Sequence, residues 1–194
     1  MTRLILVRHG QTDWNQDRRY QGQADPPLND QGRQQARGLA AQLAGEQVSA
    51  IYSSDLRRAL ETAQIIAHGL TAPIQVDPRL REISLGKWEG MLYPDILAQY
   101  ETLWWSRERD PVNVHPPGGE NVAEFTLRVH EIADEISAHH PGSQVLVVTH
   151  GLVIAVLKCT IQEIPMEQVF QHIPDNALPV PLDWRLLPGT QPPG

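Results

Sequence analysis

The 194-residue chain is 41% hydrophobic, enough for a sizeable core within one globular domain, and its 16 basic against 23 acidic residues leave a net charge of −7. That balance argues against functions resting on a diffuse basic field, such as non-specific binding of nucleic acid or of an acidic membrane, so any anion site has to be local. Cys159 is the only cysteine, which removes any intrachain disulfide and suits a reducing, cytoplasmic compartment.

In chain order, residues 4–7 form a short apolar run that reads as a buried strand and breaks abruptly into Arg8-His9-Gly10. This run is too short for the core of a signal peptide, and no run approaches membrane-spanning length. Asn29 can cap a helix through Leu43, because Asp30 and Gln31 suit its first turn, Ala36, Leu39, Ala40 and Leu43 recur at helical spacing, and Gly45 ends it. Residues 50–52 read as a second strand. Ser53-Ser54-Asp55 then leads into a helix from about Asp55 to Gly69, burying Leu56, Ala59, Leu60, Ala63 and Ile66.

The middle, at about 85–121, mixes tryptophans, tyrosines, charges and the turn "HPPGGEN" without one clear period. It is expected to be a lid-like insertion with a short helix or two, folding over one end of the sheet. Asn121 caps a helix from about 122 to 139, which Pro141-Gly142 stops. Residues 145–148 read as a third strand, and the helix after Gly151, "LVIAVLKCTI", is apolar nearly all round and therefore buried between other elements. After "PDNA" the segment "LPVPLDW" carries two prolines, each lacking a ladder donor, which predicts an edge strand or none. The proline- and glycine-rich tail, at about 188–194, is expected to fray. Strands alternating with helices predict a parallel α/β sheet in a single domain over residues 1–194.

In such a sheet ligands bind outside the carboxyl ends of the strands. The first strand end supplies Arg8 and His9. The second supplies Ser53-Ser54-Asp55 and then Arg57 and Arg58, and the run "VLVVTHG" supplies His150 and Gly151. His9 and His150 each close an apolar strand and precede a glycine, which permits close approach of backbone or ligand. His68, His130, His139, His140 and His172 read as packed or surface residues.

A guanidinium offers a planar fork of donors that matches phosphate oxygens, and the helix N-terminus nearby adds oriented N–H groups. Helical spacing does not decide which of Arg57 and Arg58 enters the site. A phosphoryl group held by arginines beside a neutral imidazole is set up for attack by nitrogen, giving a phosphohistidine that water can hydrolyse. Metal hydrolysis is the rival chemistry, but no HExxH occurs, since Asp134 stands where the second histidine would follow His130-Glu131. Walker-type and GxGxxG loops are absent too, so no metal and no cofactor is expected.

With these residues in view, the sequence resembles the histidine phosphatase superfamily, also called the phosphoglycerate mutase-like family. "RHGQTDWN" is similar to its RHG signature. "QGQADPPLNDQGRQQA", "YSSDLRRALETA", "RLREISLGKWEG" and "VVTHG" are similar to its later blocks, in the right order. The resemblance implies a three-layer α/β/α sandwich with a mostly parallel sheet and a site at the strands' carboxyl ends. It makes His9 the phosphorylated nucleophile and Arg8 and Arg58 the phosphate-binding arginines, with His150 as the second histidine of the pocket. Asn15 matches an asparagine that donates to phosphate, and Glu82 the residue that protonates the leaving oxygen. Gln21 and Gly22 match a strip that touches substrate, and Gly151, beside His150, joins the phosphate-binding set.

The family includes phosphatases, which pass the phosphoryl group to water, and mutases, which return it to a bound sugar-acid. A mutase must retain a bis-phosphorylated intermediate, which in relatives involves a longer insertion with extra basic residues. Here Lys87, Arg107 and Arg109 are the insertion's cations, and "LGKWEG" looks like the phosphatase members. Hydrolysis of a small phosphomonoester is therefore expected ahead of mutase activity, and both ahead of an inactive binding protein on the same fold. Trp88, Tyr93, Tyr100, Trp104 and Trp105 form either an aromatic wall selecting the leaving group or core packing, and His115 is placed outside the site. A homodimer is compatible with the sequence but not required by it.

Overall fold

The structure is a computed structural model, and it describes residues 1–186. The expected fraying of the tail at 188–194 lies outside the described residues. The strands are β1 (Thr2–Arg8), β2 (Ala50–Ser53), β3 (Ile74–Val76), β4 (Gln144–Thr149) and β5 (Pro179–Trp184). They form one sheet in the order β3-β2-β4-β1-β5, with every pair parallel except β1 with β5.

The helices are α1 (Asp13–Gln16), α2 (Asp30–Gln42), α3 (Arg57–Ala67), α4 (Tyr93–Arg109), α5 (Val122–His139) and α6 (Gly151–Ile161). Alternation along β1 explains the layering, because successive side chains leave opposite faces. Leu4 and Leu6 join the core beneath α5 and α6, with Val129, Ile132 and Ile154. Ile5 and Val7 join a second core beneath α2 and α3, with Leu39, Ala63 and Ile66. The molecule is thus a three-layer α/β/α sandwich with a mostly parallel sheet.

Several elements differ from the sequence reading. The strand β3 has no apolar run to announce it, since its Ile74 is half-buried and Gln75 and Val76 are exposed. The second helix starts at Arg57 rather than Asp55, with Leu56 at the cap position, while the Asp55 carboxylate pairs with Arg81. The insertion holds one 17-residue helix, α4, bent at Tyr100, whose φ of −136° and ψ of 28° are non-helical. The prolines of "LPVPLDW" do sit on an edge strand, where Pro179 and Pro181 lie opposite Val7 and Ile5. Two residues apart, their missing donors fall along one side of the strand, and an edge strand has a side that pairs with nothing.

Register positions the strand ends. Arg8 is level with Thr149 and Ser53 with Val148, and the ladder runs one residue further through His9 N to Thr149 O at 2.9 Å and Ser54 N to Val148 O at 3.0 Å. His9, Ser54 and His150 therefore emerge side by side. Helix α5 fixes the loop that carries Glu82: Arg128 donates to the carbonyls of Arg79, Arg81 and Glu82 at 2.8, 2.8 and 2.9 Å and pairs with Glu120 at 2.8 Å.

Replacing Arg128 by Met leaves three carbonyls and a carboxylate without their shared donor, and should lower unfolding free energy by about 3 kcal/mol, the scale of a broken buried pair. Urea denaturation measures it, and a midpoint equal to that of the unaltered protein would show that the clamp contributes nothing.

Candidate active site

The site begins at the end of β1. Gly10 has to be glycine, because a Cβ there would lie 2.5 Å from the Gly32 carbonyl oxygen at the start of α2. That close approach lets the chain turn directly after His9, whose backbone oxygen is held by Asn176 Nδ2 at 2.8 Å.

The His9 side chain is 3% exposed. Its Nδ1 lies 2.7 Å from the Gly10 carbonyl oxygen, which can only accept, so Nδ1 carries the proton. The unprotonated Nε2 then faces the Nε–H of Arg58 at 3.2 Å. Burial, followed by the charges of Arg58 and Arg8, holds the imidazole well below its usual pKa of 6.5, so it is neutral and its lone pair is available.

Arg58 is fully buried and donates to the carbonyls of Ala24 and Gly22 at 2.6 and 2.7 Å. Burial lowers its pKa to about 10, with Glu82 the main opposing charge. Its neighbour Arg57 is exposed. Arg8 donates through Nη1 to the Pro174 carbonyl at 2.7 Å, while its Nε is buried without a partner. Gly151 makes room for it, since a Cβ there would stand 3.3 Å from Arg8 Nε and 2.6 Å from Ile173 Cγ2.

His150 is fully buried and packs edge-on against His9, with ring centroids 5.2 Å apart. The Ser54 hydroxyl lies 2.9 Å from its Nε2 and accepts the Leu56 N–H at 3.3 Å. Donation of the hydroxyl proton to Nε2 satisfies Ser54 and leaves the ring proton on Nδ1, a buried atom without a partner. Burial, then Arg58 and His9, keeps this imidazole well below 6.5 as well.

The Glu82 carboxylate accepts the N–H groups of Ile83 at 2.9 Å and Leu152 at 3.3 Å, the latter in the first turn of α6. Asn15 and Gln21 each turn a side-chain oxygen to Thr12 Oγ1 at 3.1 Å, which leaves their amide N–H groups for other partners.

Of the nine residues singled out from sequence, Arg8, His9, Asn15, Gln21, Gly22, Arg58 and Glu82 line one cavity of about 610 Å³. His150 and Gly151 are not among the lining residues but adjoin two that are, His150 packing on His9 and Gly151 lying against Arg8. Sequence reasoning passed over Tyr20, Ile83, Phe170 and Ile173 on that wall, and gave no inward position to Arg107. Tyr20 adjoins the Gln21-Gly22 strip, which was a signal. Phe170 belongs to a short 3-10 turn, Met166–His172, and nothing in its sequence announces the cavity. Of the insertion's aromatics, Trp104 lines the cavity, Trp88 is core, and Trp105 and Tyr93 are exposed. Trp104 is thus the member of this group on the cavity wall, and Trp88 is core.

A mostly parallel α/β/α sheet with a neutral imidazole, a buried Arg58 and a half-buried Arg8 at its carboxyl edge defines the class as an α/β protein with a cationic pocket suited to a phosphate. Residues 4–185 match the histidine phosphatase superfamily (branch 1), and the chain belongs to that family.

Among its relatives are phosphoserine phosphatase 1 of Hydrogenobacter thermophilus, 34% identical over 91% of this chain and 84% of that protein, and a protein of Cronobacter sakazakii named a probable phosphoglycerate mutase, 38% identical over 85% and 77%. Among solved structures, a mycobacterial glucosyl-3-phosphoglycerate phosphatase in complex with VO3 superposes with a TM-score of 0.77 at 36% identity, covering 86% of this chain and 85% of that one. No helix among the described residues is long and apolar enough to cross a membrane.

Because His9 and His150 have lower pKa values folded than unfolded, the unfolded chain binds more protons just below pH 6.5, and stability falls as pH is lowered through that range. Imidazole NMR should show both rings neutral at pH 6.5. A titration midpoint near 6.5 for either would contradict the electrostatics described.

Proposed function

We propose that the protein hydrolyses a small phosphomonoester through a phosphohistidine on His9. The observation that carries this reading is the orientation of that ring. With Nδ1–H committed to the Gly10 carbonyl, the Nε2 lone pair is left among the guanidinium groups where a phosphoryl group would lie.

In the first step the Nε2 lone pair attacks phosphorus, the bond from phosphorus to the leaving oxygen breaks, and Glu82 passes to that oxygen a proton that it takes from the bound phosphomonoester monoanion. The imidazolium that forms is stabilised through Nδ1–H by the Gly10 carbonyl, as a histidine base is by the acceptor behind it. Arg8 Nε and His150 Nδ1, both buried without a partner and both beside His9, supply donors to the phosphoryl oxygens, and Arg58 adds charge as Nε2 is engaged. In the second step ionised Glu82 takes a proton from water and the water oxygen attacks phosphorus. The P–N bond breaks, its electron pair returns to Nε2, and orthophosphate leaves.

Asn15 and Gln21 present amide donors at the cavity wall, and the Gly22 carbonyl holds Arg58. Hydrolysis is favoured over mutase chemistry because Lys87 and Arg109 are exposed and, of the insertion's three cations, Arg107 is the one on the cavity wall. One additional cation is few for holding a bis-phosphorylated intermediate. The segment at about 85–121 covers the site as a lid in this reading, through Trp104, Arg107 and Pro111.

Brief exposure to a phosphodonor should leave an acid-labile, base-stable phosphate that is absent from His9→Ala, and turnover should persist in excess chelator. Label undiminished in His9→Ala would remove the proposal. Arg58→Ala should cut turnover by about 100-fold or more, the scale of one lost charge-stabilising donor. Glu82→Gln should slow alkyl phosphates far more than p-nitrophenyl phosphate, whose leaving group departs without a proton. Equal losses on both would exclude the acid role.

A further inference from the structure

Arg107, on α4, is the feature of the cavity that the hydrolytic chemistry leaves unused. It lines the same cavity as His9 and is 6% exposed, yet its Nε and Nη2 are buried without a hydrogen-bond partner. Its guanidinium lies 5.8 Å from the Trp88 ring centroid and 4.8 Å from that of Phe170. Such rings hold a cation in place but accept none of its N–H groups in the plane.

A buried guanidinium without a carboxylate or carbonyl is costly, and buried donors in folded proteins are nearly always satisfied. The described residues offer Arg107 no buried acid. Glu108 and Glu167, which also line the cavity, are exposed to water, where charges are screened.

Arg107 reaches the cavity from α4, whereas Arg8 and Arg58 reach it from the end of β1 and the start of α3. The cavity therefore has two cationic groups carried by different elements, one around His9 and one at Arg107. A volume of about 610 Å³ lies within the usual size of small-molecule pockets and exceeds what a phosphoryl group alone fills.

We propose that Arg107 selects the leaving group: the substrates are small phosphomonoesters whose alcohol portion carries a second anion, a carboxylate or a second phosphate, which pairs with the Arg107 fork. The inference rests on the phosphatase reading and deepens it. A planar guanidinium with two free donors suits bidentate recognition of either anion. The ring surfaces of Trp88 and Phe170 fix its plane before the ligand arrives, so little order is lost on binding.

The test uses the full chain and matched substrate pairs that differ in the second anion: 3-phosphoglycerate against glycerol 3-phosphate for a carboxylate, and fructose 1,6-bisphosphate against fructose 6-phosphate for a phosphate. The unaltered protein should prefer the anionic member of at least one pair by about 100-fold in kcat/KM, the scale of one buried charge pair, and the favoured pair identifies the anion. Arg107→Gln should collapse that ratio toward one, mainly through KM, and Arg107→Lys should restore part of it.

No preference in either pair, in the unaltered protein, would overturn the inference without any variant needing to fold. A ratio that survives Arg107→Gln would overturn it too, making the residue part of the packing. Failure of the phosphatase reading looks different, as no turnover of p-nitrophenyl phosphate and no phosphate on His9.

Discussion

One hydrogen bond organises the proposed chemistry. His9 Nδ1 donates to the carbonyl of the next residue, Gly10, at 2.7 Å, and this selects the tautomer whose Nε2 lone pair faces the arginines. Were the proton on Nε2, Arg58 would meet a donor instead of an acceptor and the ring would have no nucleophilic atom in the cavity. The bond exists because the chain turns immediately after His9, and the turn exists because Gly10 packs on the backbone of Gly32. The first turn of α2, where Gly32 lies 23 residues further along the chain than His9, thereby determines which nitrogen is free.

The sheet supplies the rest by register. Parallel pairing of β1 with β4 and of β2 with β4 brings His9, His150 and Ser54 to one height. Glu82 acts on Arg8 and Arg58 without forming an ion pair with either: Arg58 is satisfied by carbonyls, and Arg8 and His150 each keep one buried atom unpaired. Such groups cost stability in the absence of an anion, which is the usual character of a site arranged for one. The same argument extends to Arg107 on α4, where two aromatic faces stand in for the missing acceptors.

The α/β/α architecture was legible because its central strands are buried on both faces and read as apolar runs, and because Asn29 and Asn121 accept the N–H groups of Gly32 and Glu124 as helix caps should. β3 was not legible because three residues, one half-buried and two exposed, carry no pattern. α4 was obscured for a different reason: the bend at Tyr100 shifts the phase of its few buried residues, Ile96 on one side and Trp104 and Arg107 on the other.

At the site, the strand-end position marked His9 and His150, but helical spacing could not separate Arg57 from Arg58. Glu82 has no local signature, since what distinguishes it is an N–H from α6 and an arginine from α5 that clamps its carbonyl. Those are contacts between segments far apart in the chain. Arg107 was visible only as a charge, and its burial became apparent once α4 was folded against Trp88 and Phe170.

The central claim is that phosphorus passes through nitrogen on its way to water, and stereochemistry at phosphorus tests it most directly. Each in-line displacement inverts the configuration, so hydrolysis of a phosphomonoester made chiral with oxygen isotopes, followed by capture of the phosphoryl group on an alcohol acceptor, should proceed with overall retention. Overall inversion would mean a single displacement by water or acceptor, and would contradict a covalent role for His9.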